Sequence, residues 1–596
     1  MAQVTDNNNE QQAATGNAAV IAITPVHDHT IPNAQPIVSI RIDWLRRWGL
    51  LVLFCAIALS FNLYRLGDPS IWFDEAFSVE LARQPLPLLW HIIFGPEPNM
   101  ELYYLFLHYW LLLTHTFGFN PTEVVVRLPS AIFAALSTGV VFLLGRRFLN
   151  VTAAVVGTSL YLLNDLQLTY AQQTRGYSLQ LLLLCLSWYA IFAALTTTSG
   201  RDRFTTSVGR RRESWKEGTH GRGEPVPIYL SMWWLCYIIS TTLAVYTQLF
   251  SAFVLLAQVC TIGILFLLPN QWRTHIRQRI VAYCLSLLVI VILNIPMILV
   301  SRAGAKTDWL PTPHLPDLFN LFVVISGYNT PYSQAIIICS VLIILLISTA
   351  SILHSHILRQ KIDILPEKMH IYIKATASWL PLLIALLCWL AVPTIVSYEI
   401  SYTSLHLFSP RYLVVIVPPL CLLIGMTVAM LRVRAIQLVI ALILLALALS
   451  AVPMYYQSAQ VEDWNSATHW LIQHYQSGDG IVCYDNAVEQ GCQIAVQYYL
   501  DAYPSAAHFD QNSPGAFSWQ KYGPQNATEG YNAAINPAIL ALYGAQHPRL
   551  FFVTGRIPTN ADAARALVAQ HWLDTHYHLL AQITTRTVNV RLYATR

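Results

Sequence analysis

Charged residues are scarce in this sequence. They make up 11% of its 596 residues, against about 25% in an average soluble domain. Hydrophobic residues make up 55%. So little charge on so long a chain excludes one large soluble globule, and the apolar content excludes a disordered or collagen-like protein. Composition therefore predicts an α-helical polytopic membrane protein that contacts the lipid bilayer.

A large excess of one charge sign is also missing, because 35 basic residues face 31 acidic ones. This balance argues against a nucleic-acid partner. The chain has ten cysteines, of which eight lie in apolar segments and are expected to pack as inert side chains. Cys483 and Cys492 lie in the polar C-terminal part, where either a disulfide or two buried thiols would fit. No cysteine spacing resembles a zinc site.

Residues 1–40 are polar and lack periodicity, which predicts a disordered cytoplasmic tail. The first apolar run, 48–64, has no small-residue cleavage site after it and is interpreted as an uncleaved signal anchor. About 20 helical residues cross the roughly 30 Å hydrocarbon core. The sequence thus predicts eleven transmembrane helices within a membrane domain at 41–456: the anchor and the runs 124–145, 148–169, 177–197, 228–247, 249–268, 280–300, 334–357, 375–398, 412–431 and 435–454.

Segment 101–118 is nearly long enough to span, but its acidic, histidine and aromatic residues suit the interface better. Charge placement decides between the alternatives. If the segment does not cross, 21 of the 35 basic residues lie on the cytoplasmic side and seven in outer loops and span ends. If it crossed, every later loop would invert and the positive-inside bias would be broken. We therefore expect a re-entrant or juxtamembrane helix in the long outer loop 65–123.

The chain after 456 is polar and punctuated by Gly and Pro, which predicts a small extracytoplasmic α/β domain at 457–596. Segments 480–484 and 549–553 resemble buried strands. Segments 494–503 and 562–573 resemble helices. The final run alternates at period two and predicts one or two further strands. The expected location is the plasma membrane, with the N-terminus cytoplasmic and this domain outside.

Asp74 and Glu75 are adjacent carboxylates among aromatic residues just after the first span. Two such groups are expensive to desolvate unless they bind a cation or accept a proton, so they are candidates for a catalytic base. The alternative is an ordinary helix start, in which Asp74 lies near the N-cap and Glu75 favours the helix dipole.

Two outer segments carry candidate anion-binding residues. Arg175 lies at a helix N-terminus beside Gln172 and Tyr177, which suits an anion site, although an arginine reaching to the interface would look the same. Arg411 and Tyr412 stand at the outer start of another span, where an arginine could hold a lipid phosphate.

Loop 301–334 carries Lys306 and several prolines. It would serve either as a cover for the donor or as a plain connector. Together these segments predict an outer site with carboxylates on one side and cations on the other. Such a site suits transfer from a membrane-anchored phosphate to a hydroxyl nucleophile.

Five segments in order resemble the GT-C membrane glycosyltransferases, especially family 39-like proteins related to protein O-mannosyltransferases and the lipid A aminoarabinose transferase. The resemblance is strong over about 60–200 and weaker to about 420. The segments are WFDEAFS, ELYYLFLHYWLLL, EVVVRLPSAIFAALSTGVVFLLGRR, YAQQTRGYSL and FSPRYLVVIVPP.

The resemblance implies inverting transfer from a polyprenyl-phosphate sugar to a hydroxyl acceptor (protein, glycolipid or cell-envelope glycan) on the outer face. By it, Asp74 matches the acidic residue taken as catalytic base or acceptor binder, with Glu75 as its neighbour. Arg175, Arg411 and Arg127 match positions assigned to the donor phosphate. For Arg127, a helical ion pair with Glu123, four residues earlier, is the simpler alternative.

Two positions depart from the family pattern. The usual Pro-Pro before Leu-Tyr-Tyr is Met100-Glu101 here. A related transferase uses a Glu near this point as a metal ligand, so Glu101 is a candidate ligand for a divalent metal ion. Gln172-Gln173 stands where many relatives have Gln-Glu, which suggests a different acceptor. Two other function classes stay open: a transporter or lipid flippase, and a membrane-anchored sensor that binds through its outer domain.

Overall fold

The computed structural model describes residues 37–196, 232–270, 272–301, 307, 310–360, 373, 376–484, 491–503, 505–522, 533–555 and 560–596. The chain divides into two compact units, 1–50 and 51–596. In the first unit the described part is the beginning of helix Ile37–Leu63. Most of the predicted disordered tail lies outside the described residues.

Each of the eleven predicted spans contains a helix within its described residues. In that part of the chain, seven helices are long and apolar enough to cross a membrane, and four shorter apolar helices account for the other predicted spans. The predicted polytopic, helical membrane architecture is confirmed. The helices after Ile37–Leu63 are Glu123–Phe148, Val151–Leu162 with Asp165–Ala171, Tyr177–Thr196, Met232–Thr247, Ser251–Leu267, Arg273–Ser301, Thr330–Gln360, Leu380–Ile400, Pro410–Leu413 leading through the 3-10 turn Val414–Ile416 into Val417–Met430, and Arg434–Ser458.

Helices Val151–Leu162 and Val417–Met430 pack backbone against backbone, because glycines lie where they meet. A Cβ at Gly157 would lie 2.9 Å from the carbonyl oxygen of Cys421, and one at Gly425 would collide with the carbonyl oxygen of Ala153. Small residues allow this close approach between membrane helices, where dispersion contacts replace the hydrophobic effect.

The segment between the first two spans folds into three helices, Phe73–Ala82, Leu86–Ile93 and Glu101–Thr116. Helix Glu101–Thr116 packs against helix Phe73–Ala82 and helix Met232–Thr247. Nδ1 of His108 lies 2.7 Å from the carbonyl oxygen of Ala82, which ties two of these helices together. At 16 residues, this helix is shorter than those long enough to span.

The C-terminal part forms a four-stranded sheet of β1 (Gly480–Tyr484), β2 (Arg549–Gly555), β3 (His578–Thr584) and β4 (Val588–Ala594) in the order β1-β2-β4-β3. Strands β1 and β2 are parallel and the other pairs antiparallel. This confirms the predicted small α/β domain, including its period-two final strands. The remaining helical segments of the described residues are Leu315–Ile325, Trp464–His474, Gly491–Ala502, Trp519–Lys521 (3-10), Pro537–Gly544 and Asn560–His576.

Cys483 and Cys492 form a disulfide, with a Cα–Cα distance of 5.7 Å. Of the two alternatives left by the sequence, the disulfide is the one found. It joins the end of β1 to helix Gly491–Ala502. This helix packs against helix Phe73–Ala82, so the C-terminal part touches the segment that carries the candidate carboxylates.

Candidate active site

The site forms around the first turn of helix Phe73–Ala82. Trp72 is the N-cap residue, and its side chain makes no capping hydrogen bond. Asp74 and Glu75 occupy the first turn, where the helix dipole favours negative charge. Successive residues on a helix point about 100° apart, so the two carboxylates have different surroundings.

Glu75 is fully buried and bound to Arg127, whose side chain is 3% exposed. The guanidinium donates from Nε and Nη2 to the two carboxylate oxygens, at 2.9 and 2.7 Å. Its other N–H groups donate to the backbone oxygens of Leu66, Pro69 and Ser70. An arginine has five N–H donors, and all five are used here.

Arg127 therefore does not form the helical ion pair with Glu123 that its spacing suggested, and it has no donor left for a phosphate. Glu123 instead accepts hydrogen bonds of 2.9 Å each from Asn465 Nδ2 and from the hydroxyl of Tyr499. Both partners belong to the C-terminal part of the chain. The N–H of Thr174 completes the surroundings of Glu75 with a 2.7 Å hydrogen bond to its Oε1.

Asp74 faces two other arginines. Nη1 of Arg411 lies 3.3 Å from Asp74 Oδ2, and Nη2 of Arg175 lies 3.8 Å from the same oxygen. Arg175 also donates from Nη1 to the Asp74 backbone oxygen and to the hydroxyl of Ser78, both at 3.2 Å. The Asp74 and Arg411 side chains are 18% and 25% exposed, so this group is open to a ligand.

Aromatic rings lie near Arg411. The Arg411 guanidinium lies over the ring of Trp72, with 5.9 Å between Cζ and the ring centroid. Tyr412 stacks on Phe250 at 5.8 Å. Tyr177 is buried, and its ring packs against the ring of Tyr170 at 4.4 Å. A cation over an aromatic face gains cation–π attraction, which Trp72 offers to Arg411.

Among the other predicted residues, Gln172 is already committed. Its Nε2 donates to the backbone oxygens of Asn62 and Tyr64, and its Oε1 accepts from the hydroxyl of Tyr455. It links three segments and has little left for a substrate. Lys306 lies outside the described residues.

Glu101 is buried, and neither of its carboxylate oxygens has a hydrogen-bond partner. Burial and the nearby charge of Glu97 raise the pKa of Glu101 to about 8. Within the described residues, no group of three or more His, Cys, Asp or Glu side chains could hold a metal ion. The donor set around Glu101 thus falls short of the oxygen-rich shell that a hard divalent cation needs.

The C-terminal part contributes contacts to the site that were not predicted from the sequence. Glu462 Oε2 accepts from the backbone N–H of Phe73 at 2.9 Å and from the indole of Trp464 at 2.6 Å. The hydroxyl of Tyr499 lies 2.8 Å from the N–H of Ile71 and 3.0 Å from the Ser70 hydroxyl. Nothing in the sequence near residues 462 or 499 signals these long-range contacts.

No protein-family model matches the chain, and no curated protein matches its sequence. Solved structures do match. ArnT from Cupriavidus metallidurans in the apo state has a TM-score of 0.54 and 12% identity, covering 92% of this chain and 98% of that one. The same protein bound to undecaprenyl phosphate has a TM-score of 0.49 and 13% identity over the same shares.

An archaeal oligosaccharyltransferase, AglB from Archaeoglobus fulgidus in complex with an inhibitory peptide and a dolichol-phosphate, has a TM-score of 0.43 and 11% identity, covering 93% of this chain and 75% of that one. At 12% identity the match to apo ArnT shows the fold, and it confirms the GT-C-like fold expected from the sequence. Roles of individual residues rest on the geometry described above.

Proposed function

We propose that this protein transfers a sugar from a polyprenyl-phosphate donor to a hydroxyl acceptor, with inversion at the anomeric carbon. What supports the proposal is one observation: Arg175 and Arg411, from separate segments, converge on one oxygen of Asp74 at the start of helix Phe73–Ala82. Two guanidiniums beside one carboxylate can hold a phosphate next to a proton acceptor. A GT-C-like fold with membrane-spanning helices fits a donor anchored in the lipid.

In the proposed reaction the acceptor hydroxyl attacks the anomeric carbon. A C–O bond forms to the acceptor while the bond between the anomeric carbon and the phosphate oxygen breaks. The Asp74 carboxylate takes the hydroxyl proton, and the electron pair of the broken bond stays on the polyprenyl phosphate. Arg175 and Arg411 stabilise the negative charge that grows on that phosphate. Attack opposite the leaving group inverts the anomeric configuration.

Glu75 and Arg127 receive a different role from the one that the resemblance implied. We assign them the role of positioning residues, because both side chains are buried and each pairs with the other through two hydrogen bonds. The pair fixes the start of helix Phe73–Ala82 relative to helix Glu123–Phe148. The hydrogen bond from the N–H of Thr174 to Glu75 also positions the backbone next to Arg175. Arg127 thereby sets where Asp74 and Arg175 meet without itself touching the donor.

The site would lie on the outer face of the plasma membrane. This placement rests on the asymmetric distribution of basic residues in the sequence. The same asymmetry puts the C-terminal domain outside, where its disulfide would be stable. The acceptor is then a protein, glycolipid or glycan of the cell envelope.

The test supplies the purified full-length chain in lipid nanodiscs with radiolabelled polyprenyl-phosphate hexoses and with envelope acceptors. Asp74→Asn keeps the shape but cannot accept a proton, and removing a positioned base costs about 100- to 10,000-fold. The matched control is Asp68→Asn, an exposed carboxylate paired with Arg65. Wild-type transfer by Asp74→Asn would refute the proposal. A separate measurement with the wild-type chain in sealed proteoliposomes would also refute it if label entered the vesicles without any glycosylated product.

A further inference from the structure

The carboxylate of Asp74 lies where N–H groups of two arginines meet. Its Oδ2 is 3.3 Å from Nη1 of Arg411 and 3.8 Å from Nη2 of Arg175. Two guanidiniums close to one point create a place that favours an anionic oxygen. In the described part of the chain, Oδ1 of the same carboxylate makes no hydrogen bond. Asp74 therefore contributes one oxygen to a place that would suit a phosphate oxygen equally well.

The contact of Asp74 with the arginines is loose compared with that of its neighbour. Charge-assisted N–H···O hydrogen bonds usually measure about 2.7–2.9 Å. The two bonds between Arg127 and Glu75 fall in this range, and both side chains are almost fully buried. The Asp74 contacts are longer, involve one oxygen only, and belong to a side chain that is 18% exposed. Of the two adjacent carboxylates, Asp74 is thus the one that can exchange its partners.

Arg175 is held in place independently of the Asp74 carboxylate. Its Nη1 donates to the backbone oxygen of Asp74 and to the hydroxyl of Ser78, both at 3.2 Å. The Ser78 hydroxyl in turn donates to the same backbone oxygen at 2.7 Å. Among the described residues, Nε and Nη2 of Arg175 make no hydrogen bond, although only 10% of the side chain is exposed. A buried cation with unused donors favours an anion, so this guanidinium can hold a phosphate after the Asp74 side chain has turned away.

We propose that the Asp74 carboxylate and the donor phosphate occupy the place between Arg175 and Arg411 in turn, so that donor binding releases the base. This inference rests on the proposed function and adds an order of events to it. A carboxylate and a phosphate are both anions, and two negative charges at close range repel each other. A phosphate that bridges the arginines therefore displaces Asp74 from them. The displaced carboxylate can then accept the proton of the acceptor hydroxyl.

The same competition acts on the polyprenyl phosphate that the reaction produces. When Asp74 accepts the hydroxyl proton, it becomes neutral and no longer competes for the arginines. When that proton passes to water, the carboxylate is charged again and displaces the polyprenyl phosphate. The donor accordingly binds before the acceptor, and loss of the proton precedes departure of the lipid phosphate.

Binding of a lipid phosphate tests the competition directly. The probe is radiolabelled farnesyl phosphate, added to the full-length chain in lipid nanodiscs, with farnesol as the matched compound that has no phosphate. The apparent affinity of a ligand falls with the fraction of molecules whose site is competent, so removing the competing charge should raise the affinity. We expect Asp74→Asn to bind farnesyl phosphate about three- to tenfold more tightly than the wild type, because this partly exposed pair lies between a surface ion pair and a buried one. Farnesol should bind equally to both.

Further variants separate competition from other effects. Asp74→Glu keeps the charge and should not bind farnesyl phosphate more tightly than the wild type. Asp74→Ser removes the charge with a different side-chain shape, and it should bind more tightly, as Asp74→Asn does. In an Arg411→Gln background the gain from Asp74→Asn should shrink, because one of the two guanidiniums for which Asp74 competes is gone. Asp68→Asn, at an exposed carboxylate paired with Arg65, is the control and should bind like the wild type.

Unchanged or weaker binding of farnesyl phosphate by both Asp74→Asn and Asp74→Ser would overturn the proposal. So would a gain that is equally large in the Arg411→Gln background, or tighter binding by Asp74→Glu. These outcomes differ from a failure of the proposed function. Normal sugar transfer by Asp74→Asn would show that Asp74 is not the base, whereas lost transfer without tighter binding would refute the competition alone.

Discussion

The buried pair between Glu75 and Arg127 gives the sharpest prediction, because it separates folding from catalysis within two adjacent residues. Glu75→Gln keeps the side-chain volume but leaves the Arg127 charge without its counter-ion. Both side chains are almost fully buried, and removing one partner of such a pair costs about 3–5 kcal/mol. Arg127→Met should cost more, because the backbone oxygens of Leu66, Pro69 and Ser70 lose their donors as well.

The measurement is the free energy of unfolding of the full chain in mixed micelles, titrated with SDS and followed by circular dichroism. The double variant Glu75→Gln/Arg127→Met closes a thermodynamic cycle. We expect it to lose less than the sum of the single variants, because the lone charge is gone. Asp74→Asn, at the adjacent residue, is the matched control. Its carboxylate is partly exposed, so Asp74→Asn should lower the unfolding free energy by less than Glu75→Gln does.

A specific result would refute this reasoning. If Glu75→Gln unfolded like the wild type but lost sugar transfer, Glu75 would be a catalytic group and the pair would not be structural. If Asp74→Asn instead lost several kcal/mol of stability, Asp74 would belong to the scaffold. The expected pattern is the opposite: Asp74→Asn affects activity, and Glu75→Gln affects stability first.

Two further predictions concern pH and packing. Burial raises the pKa of Glu80 from 4.5 to about 7, against the opposing charge of its neighbouring arginine. The native state therefore keeps the proton that the unfolded chain releases above about pH 4.5, and stability should fall as pH rises from there to about 7. In SDS titrations at several pH values, the unfolding free energy of Glu80→Gln should depend less on pH than that of the wild type, whereas Glu399→Gln, at an exposed acid elsewhere, should behave like the wild type. Equal pH dependence in Glu80→Gln and the wild type would show that Glu80 is not the group responsible. Gly157→Ala should cost about 1–3 kcal/mol by overpacking against Cys421, and Gly263→Ala, with open space around it, should cost nothing; a neutral Gly157→Ala would show that the helices can separate freely.

The long helices could be predicted from the sequence because crossing a membrane demands about 20 apolar residues, whatever the neighbours are. The segments carrying Asp74, Arg175 and Arg411 could also be singled out, since polar residues beside spans are few. What could not be predicted is the direction of each side chain. Adjacent carboxylates 74 and 75 differ only by helical phase, and that phase depends on the helix starting at Phe73.

Arg127 shows why local spacing misleads in a buried site. Its i−4 neighbour Glu123 was the simplest partner, because such pairs gain a few tenths of a kcal/mol on an exposed helix. Inside the protein, removing the guanidinium from water costs more free energy than that pair gains. Every N–H of a buried guanidinium therefore needs an acceptor. Glu75 and three backbone oxygens supply five acceptors together, and Glu123 alone could not.

The C-terminal part of the chain contributes directly to the candidate site. The first N–H groups of a helix have no partner within it, and here Glu462 supplies one for Phe73. Three carboxylates, at 74, 75 and 462, thus lie at one helix N-terminus, where the dipole stabilises them. Each has its own cation or donor, so a ligand phosphate can compete only for Arg175 and Arg411, the arginines shared by the partly exposed Asp74. The contacts from residues beyond 456 therefore help to fix the start of helix Phe73–Ala82, on which Asp74 lies, and they predict that the proposed donor site forms only when both parts of the chain fold together.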